Sequence, residues 1–184
     1  MYEATKAIRR RGIQNGKLFA GAGIDIGAGP DCISNHGFHA YNWDLKDGDA
    51  QLMAGVKDNT FDFVHSSHCL EHMRSPQMAL ENWIRICKPR GYIVVTVPDE
   101  ELYEHNMWPS RFNRDHKFSF RINNQKTLHK HSINIFNLLK NVKAEVISVI
   151  RLEDGFNYLL PAHIDQTFPI DGPECAIEFI LRKY

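Results

Sequence analysis

The chain has 184 residues, enough for one domain with a full hydrophobic core, and its 22 Lys and Arg balance 22 Asp and Glu. That zero formal charge argues against a nucleic-acid or anionic-membrane binder driven by bulk electrostatics, although it leaves room for a local basic patch. No apolar run reaches the roughly 18 residues that suggest a membrane span. The basic start, "MYEATKAIRRRGIQNGK", is not followed by the apolar stretch of a secretory signal. The four cysteines, Cys32, Cys69, Cys87 and Cys175, are scattered without a C-x-x-C pair. We therefore expect reduced thiols in a cytoplasmic protein, with neither a zinc ribbon nor a disulfide framework.

Residues 2–11 read as a helix stopped by Gly12 and Asn15-Gly16. "LFAGAGIDIG" reads as a short apolar strand entering a glycine-rich turn, and "PDCISNH" as a short helix with Pro30 and Asp31 in its first turn. The alternating "FHAYNWDL" predicts a strand ending near Asp44, followed by the turn-rich "KDGDAQLMAGVKDNT". "FDFVHSS" predicts a strand, and "SPQMALENWIRICKPRG" a helix with a Pro-Arg-Gly stop. "YIVVTVP" is a β-branched run of the kind found in central parallel strands.

Residues 99–127 are irregular, aromatic and charged, and an irregular segment of that length is more often functional than a mere connection. "SINIFNLLK" then predicts a helix, "AEVISVIRL" a strand and "ECAIEFILRKY" a closing strand. The alternation predicts an α/β fold: a doubly wound, Rossmann-like, mostly parallel sheet in one domain over 1–184. With only a turn expected between the last two strands, one of them should be antiparallel.

In "GAGIDIGAGP" a strand delivers Asp25 and ends at Gly27 and Gly29, where open α/β sheets bind ligands. A nicotinamide fingerprint fails, because Cys32 falls where its third small residue would stand. The alternative is a simple tight strand–helix turn.

"GIDIGAGP" resembles motif I of class I S-adenosylmethionine-dependent methyltransferases, here in a small, type 11-like form. Four further stretches match that family in order over about residues 21–98: "YNWDL" with Asp44, "GDAQLM", "VKDNTFDFVHSSHCLEHM" and "ALENWIRICKPRGYIVVTVP". Asp44 and Asp49 stand close together where the family normally places a helix and another strand, which predicts a compact variant. Arg90 replaces a usual glycine, which is tolerated if its dihedrals are ordinary and is otherwise a strained position.

The resemblance implies S-adenosyl-L-methionine as cofactor and S-adenosyl-L-homocysteine as product. It places Asp25, Gly27, Ala28 and Gly29 at the methionine part and the Asp44 carboxylate at the ribose hydroxyls. Asp49 and Ala50 are expected at adenine, with Leu52 or Met53 covering the ring, and His68 and Leu70 on the loop after "FDFV". The alternative for Asp49 is an ordinary turn aspartate. Residues 21–98 form the expected cofactor half and 99–127 the substrate or lid segment.

"SSHCLEHM" also contains the H-x-x-E-H spacing of a zinc site in His68, Glu71 and His72. Such a site needs these residues on a helix and another ligand, such as Glu145 or Glu153. A strand before His68 and Ser75-Pro76 after it would truncate that helix, so we expect no metal and read Glu71 and His72 as scaffolding.

Methyl transfer to a hydroxyl needs an oriented acceptor and a base, for which His68, His105, His116 and Asp115 are candidates. "NMWPSRFNRDHKFSF" mixes forked polar groups with aromatic faces, which suits a sugar or a phosphorylated acceptor. The expected acceptor is a small molecule, sugar-like or a glycan, methylated at oxygen. "SRFNRDHKFSF" also loosely resembles a segment of small methyltransferase-like proteins of bacterial glycan pathways. A surface loop of buried aromatics and solvated charges is the alternative, and His129 and His131 are expected to be exposed. The competing function is an S-adenosylmethionine-binding regulator or partner without transfer activity.

Overall fold

The computed structural model describes residues 2–123 and 129–184, so the end of the 99–127 segment and Leu128 lie outside the described residues. In chain order the elements are α1 (Glu3–Arg11), α2 (Gln14–Leu18), β1 (Gly23–Ile26), β2 (Ala40–Trp43), β3 (Phe61–Ser67), α3 (Pro76–Ile86) and β4 (Cys87–Pro98). They continue with β5 (Ser119–Arg121), β6 (Ser132–Asn134), α4 (Ile135–Leu139), β7 (Ala144–Leu152) and β8 (Ala176–Lys183). Short 3-10 turns at Ile33–His36 and Leu70–His72 follow β1 and β3.

Six strands form one sheet in the order β2-β1-β3-β4-β8-β7, and β5 pairs with β6 separately. The pairs β1–β2, β1–β3 and β3–β4 are parallel, and β8 is antiparallel to both β4 and β7. β8 alone therefore runs against the rest, which bears out the expected fold class. The expected turn between the last two strands is corrected, because 153–175 separate them.

The apolar run of β4 is buried on both faces, as a central parallel strand must be. Ile93, Val95 and Val97 join a cluster with Leu80, Trp83 and Ile84 of α3 and Leu138 and Leu139 of α4. Val94 joins Phe63 and Ile180 on the opposite face, against Ala4 of α1, and Leu18 and Phe19. Each such side chain removed from water contributes about 1.5–3 kcal/mol. α1 is also clamped electrostatically. Arg10 and the buried Arg11 both donate to Glu178 in β8, Arg10 with its closest contact at 2.8 Å. Burial favours the neutral acid at Glu178, but Arg11 and Arg10 outweigh it and pull the carboxyl down to about 2.

α3 starts where the sequence predicts: Pro76 occupies the first turn and the Ser75 side chain accepts from Met78 N at 3.3 Å. It passes directly into β4, since Cys87 already pairs with Phe61, and the register then shifts before Tyr92 pairs with Phe63. Arg90 in that irregularity has φ 69°, a left-handed conformation disfavoured for a side chain-bearing residue, so its dihedrals are not ordinary. α4 is shorter than expected because Ser132–Asn134 pair with β5 instead. The Asn134 side chain then caps the helix by accepting from Phe136 N and Asn137 N.

β2 is the sheet edge, and the stretch after it holds turns where a helix and strand were expected to be missing. Side chains of α3 hold this stretch in their place. Trp83 Nε1 donates to Ala50 O at 2.8 Å, Asn82 to Gln51 O at 2.9 Å, and Arg85 to Val56 O at 2.8 Å and Met53 O at 3.2 Å. These bonds satisfy carbonyls that a helix would otherwise have satisfied.

Candidate functional site

A cleft of about 650 Å³ opens at the carboxyl ends of β1, β2 and β3, where the chain ends diverge. Gly27 and Gly29 form one wall, Trp43 and Asp44 a second, Asp49 and Ala50 a third, with the loop after β3 opposite. Gly27 has φ 73°, and a Cβ there would stand 2.6 Å from Cys69 Cβ, so the turn accepts no side chain. Gly29 has φ 52° but open space around it, and its N–H donates to Asp44 Oδ2 at 3.2 Å. Asp44 Oδ1 accepts from Leu45 N at 2.7 Å, which fixes the carboxylate at the cleft edge. Asp49 accepts from Gln51 N at 2.8 Å with one oxygen and from exposed Arg74 at 2.7 Å with the other.

A smaller cavity of about 180 Å³ adjoins this cleft at Gly27, Gly29 and His68, and Ala28 and Asp25 line it. Asp25 is buried and already engaged: it accepts from Ile33 N at 2.9 Å and bonds His65 Nδ1 at 2.7 Å. Leu52 is exposed and Met53 and Leu70 are fully buried in the core, and none of the three lines the cleft. Trp43, Met73, Arg74 and Lys117 line it instead.

His68 lines both cavities from a left-handed backbone position, φ 52°. Its Nε2 lies 3.4 Å from Glu3 of α1 and its Nδ1 3.7 Å from Glu71. Burial opposes its charge, yet Glu3 and then Glu71 raise its pKa above the usual histidine value. That favours an imidazolium, which orients an anionic group better than it accepts a proton. Burial pushes the neighbouring Cys69 thiol up to about 12, so it is no thiolate nucleophile. All four cysteines are free and buried.

The segment before β5 docks on the L-E-H turn. Lys117 N and Phe118 N donate to Glu71 O at 2.8 and 3.2 Å, and Lys117 Nζ to His72 O at 2.6 Å. This brings Lys117 to the cleft while His116 is buried behind His72, their rings 4.9 Å apart and edge-on. Asp115 is exposed and off the cleft lining. His105 also lies off that lining, packed near Phe112 and Phe156, and burial and then Arg111 lower its pKa. His129 and His131, expected to be exposed, are half-buried and stack on Trp108 at 4.7 and 5.2 Å between ring centres.

A family model described as a methyltransferase domain matches residues 5–130. Among solved structures, the chain is similar to a putative S-adenosylmethionine-dependent methyltransferase from Listeria monocytogenes, at 15% identity and TM-score 0.60 over all of this chain and 99% of that one. An S-adenosylmethionine-dependent methyltransferase from Archaeoglobus fulgidus has 18% identity and TM-score 0.56, over all of this chain and 95% of that one. A geranyl diphosphate C-methyltransferase from Streptomyces coelicolor A3(2), solved with Mg2+, geranyl diphosphate and S-adenosyl-L-homocysteine, has 8% identity and TM-score 0.60 over 96% and 77%. At these identities the likeness is one of fold. No curated protein matches the chain.

Proposed function

The chain belongs to the methyltransferase-domain family, and we propose that it is an S-adenosyl-L-methionine-dependent methyltransferase whose cleft transfers the methyl group to an oxygen of a small or sugar-like acceptor. The observation that carries the donor placement is Asp44, tied to Gly29 N at the rim of the cleft at the strand ends. The cradle fits: Gly27 and Gly29 present backbone rather than side chain, and Asp44 offers lone pairs to vicinal hydroxyls. Bound there, the cofactor supplies an electrophilic methyl group and a neutral thioether leaving group.

The chain's own residues then bind and orient. Gly27, Ala28 and Gly29 approach the methionine end, with Asp25 stiffening the loop from behind through Ile33 N. Asp44 holds the ribose, and Asp49 with Ala50 meets adenine beside Trp43 and Met73. Asp49 shares its carboxylate with Arg74, an exposed pair that a ligand amine competes with at little loss. His68, whose pKa Glu3 raises against burial, faces the amino-acid carboxylate. Lys117, from the segment before β5, and His72, from the turn after β3, form the acceptor side. His116 and Asp115 shape that wall from behind and beside it rather than touching the acceptor, so the hydroxyl proton passes to solvent water as the new C–O bond forms and the sulfonium C–S bond breaks.

The test is transfer of an isotope-labelled methyl group to a panel of hydroxyl, amine and thiol acceptors, with products resolved by mass spectrometry. Oxygen-methylated products support the reading. Label appearing only on nitrogen or sulfur sinks the oxygen assignment.

A further inference from the structure

Behind the His72 wall, Glu71, His72 and His116 bring one ligand-type atom each within 4.8 Å of one another. Glu71 is fully buried, and neither of its carboxylate oxygens has a hydrogen-bond partner among the described residues. Both imidazoles are turned toward it by their other nitrogen. His72 Nδ1 lies 3.2 Å from the Asp115 carbonyl, which can only accept, so that nitrogen carries the proton. His116 Nδ1 lies 2.7 Å from Glu104 Oε1 and donates to that carboxylate.

Each ring therefore presents Nε2 to Glu71 Oε1, at 3.9 Å from His72 and 3.8 Å from His116. These gaps are too long for hydrogen bonds. They are close to the roughly 3–3.5 Å that separates ligand atoms sharing an ion with bonds of about 2.1 Å. A buried carboxylate without partners costs several kcal/mol unless positive charge reaches it. His68 nears the same oxygen at 3.7 Å, also beyond hydrogen-bond reach, and lies closer to Glu3 at 3.4 Å, so its charge is shared between the two carboxylates and offsets Glu71 only in part.

We propose that Glu71, His72 and His116 bind one first-row divalent cation, with Glu104 orienting His116 and the Asp115 carbonyl orienting His72. Two imidazoles and one carboxylate favour zinc, manganese or iron over magnesium or calcium. A carboxylate on the outer nitrogen of a ligating histidine is the usual support for such a ligand. Two of the three ligands come from the H-x-x-E-H stretch, but His68 is not among them, and the third comes from the docked stretch before β5. His72 alone of the three lines the cleft, so an ion there stands at the acceptor wall. A role in polarising an acceptor oxygen rests on the methyl-transfer reading above; the site itself does not.

The full chain is stripped with chelator and titrated with Zn2+, Mn2+ and Mg2+ by calorimetry, and with Co2+ by visible absorption. The expected result is one equivalent of Zn2+ or Co2+ per chain, with Mg2+ far weaker. His72→Ala, whose side chain is the most exposed of the set, and Glu104→Gln should each weaken binding about tenfold or more. His163→Ala, at an exposed site off the cluster, should leave it unchanged. Thermal melts verify that each variant is folded. Substoichiometric binding to wild type, or equal affinity in folded His72→Ala and wild type, overturns the proposal. S-adenosyl-L-homocysteine is titrated into the same stripped protein: homocysteine-product binding without zinc binding overturns the cation alone. Zinc binding without product binding supports the cation and overturns the donor reading.

Discussion

Replacing Gly27 and Gly29 separately by alanine tests whether the glycine turn is built for close approach or only for its dihedrals. Both have positive φ, 73° and 52°, so each alanine bears about 1–2 kcal/mol of left-handed strain. They differ in surroundings: the new Cβ at 27 would stand 2.6 Å from Cys69 Cβ and 2.7 Å from its Sγ, whereas at 29 nothing lies within 4 Å. Forcing a methyl into packed space costs a further 1–3 kcal/mol or about that. Gly29→Ala should therefore lose about 1–2 kcal/mol and Gly27→Ala about 2–5 kcal/mol. Urea unfolding reads the difference as a shift in midpoint at constant slope. Equal midpoints for the two variants would refute the close-approach argument.

Asp44→Ala should leave the unfolding midpoint nearly unchanged and weaken S-adenosyl-L-homocysteine roughly 10- to 100-fold, the worth of hydrogen bonds to a charged group, as read by calorimetry. Unchanged affinity would mean the ribose lies elsewhere. Glu178 is depressed from 4.5 to about 2, so its stabilisation is complete above pH 4.5 and fades as pH falls toward 2. The whole effect is about 3 kcal/mol, and Glu178→Gln should flatten that limb of an acid titration followed by circular dichroism. His68 is raised, so its contribution is full below about pH 6.5 and fades as pH rises through its folded value. His68→Asn should remove that alkaline decline in melting temperature; an unaltered decline would take the charge off His68.

The sheet and the glycine turn that edges the cleft were legible because they rest on local patterns. "YIVVTVP" is a strand by composition, "GIDIGAGP" joins a strand end to residues that must turn, and Ser75-Pro76 starts a helix. Local pattern says less about side chains that meet across the chain. Glu3 pairs with His68, Glu104 with His116, and Glu71 faces His116, and no spacing rule connects those positions. Leu52 and Leu70 show the same limit, since an apolar residue in a loop at the strand ends can face solvent or core as well as a ligand. Arg90 stands where the resembled family has glycine, which left a strained position open as a reading, and the register shift gives the backbone that makes it so. The compact stretch after β2 was readable as a shortening, but its replacement by Trp83, Asn82 and Arg85 required the packed α3.

The central claim, that this cleft is the methyl-donor site, is tested most directly by a crystal structure of the protein soaked with millimolar S-adenosyl-L-homocysteine. The account predicts ribose hydroxyls within hydrogen-bond reach of Asp44, adenine beside Asp49 and Ala50, and the amino-acid end against Gly27 and His68. Product bound elsewhere, or none bound at that concentration, would contradict it.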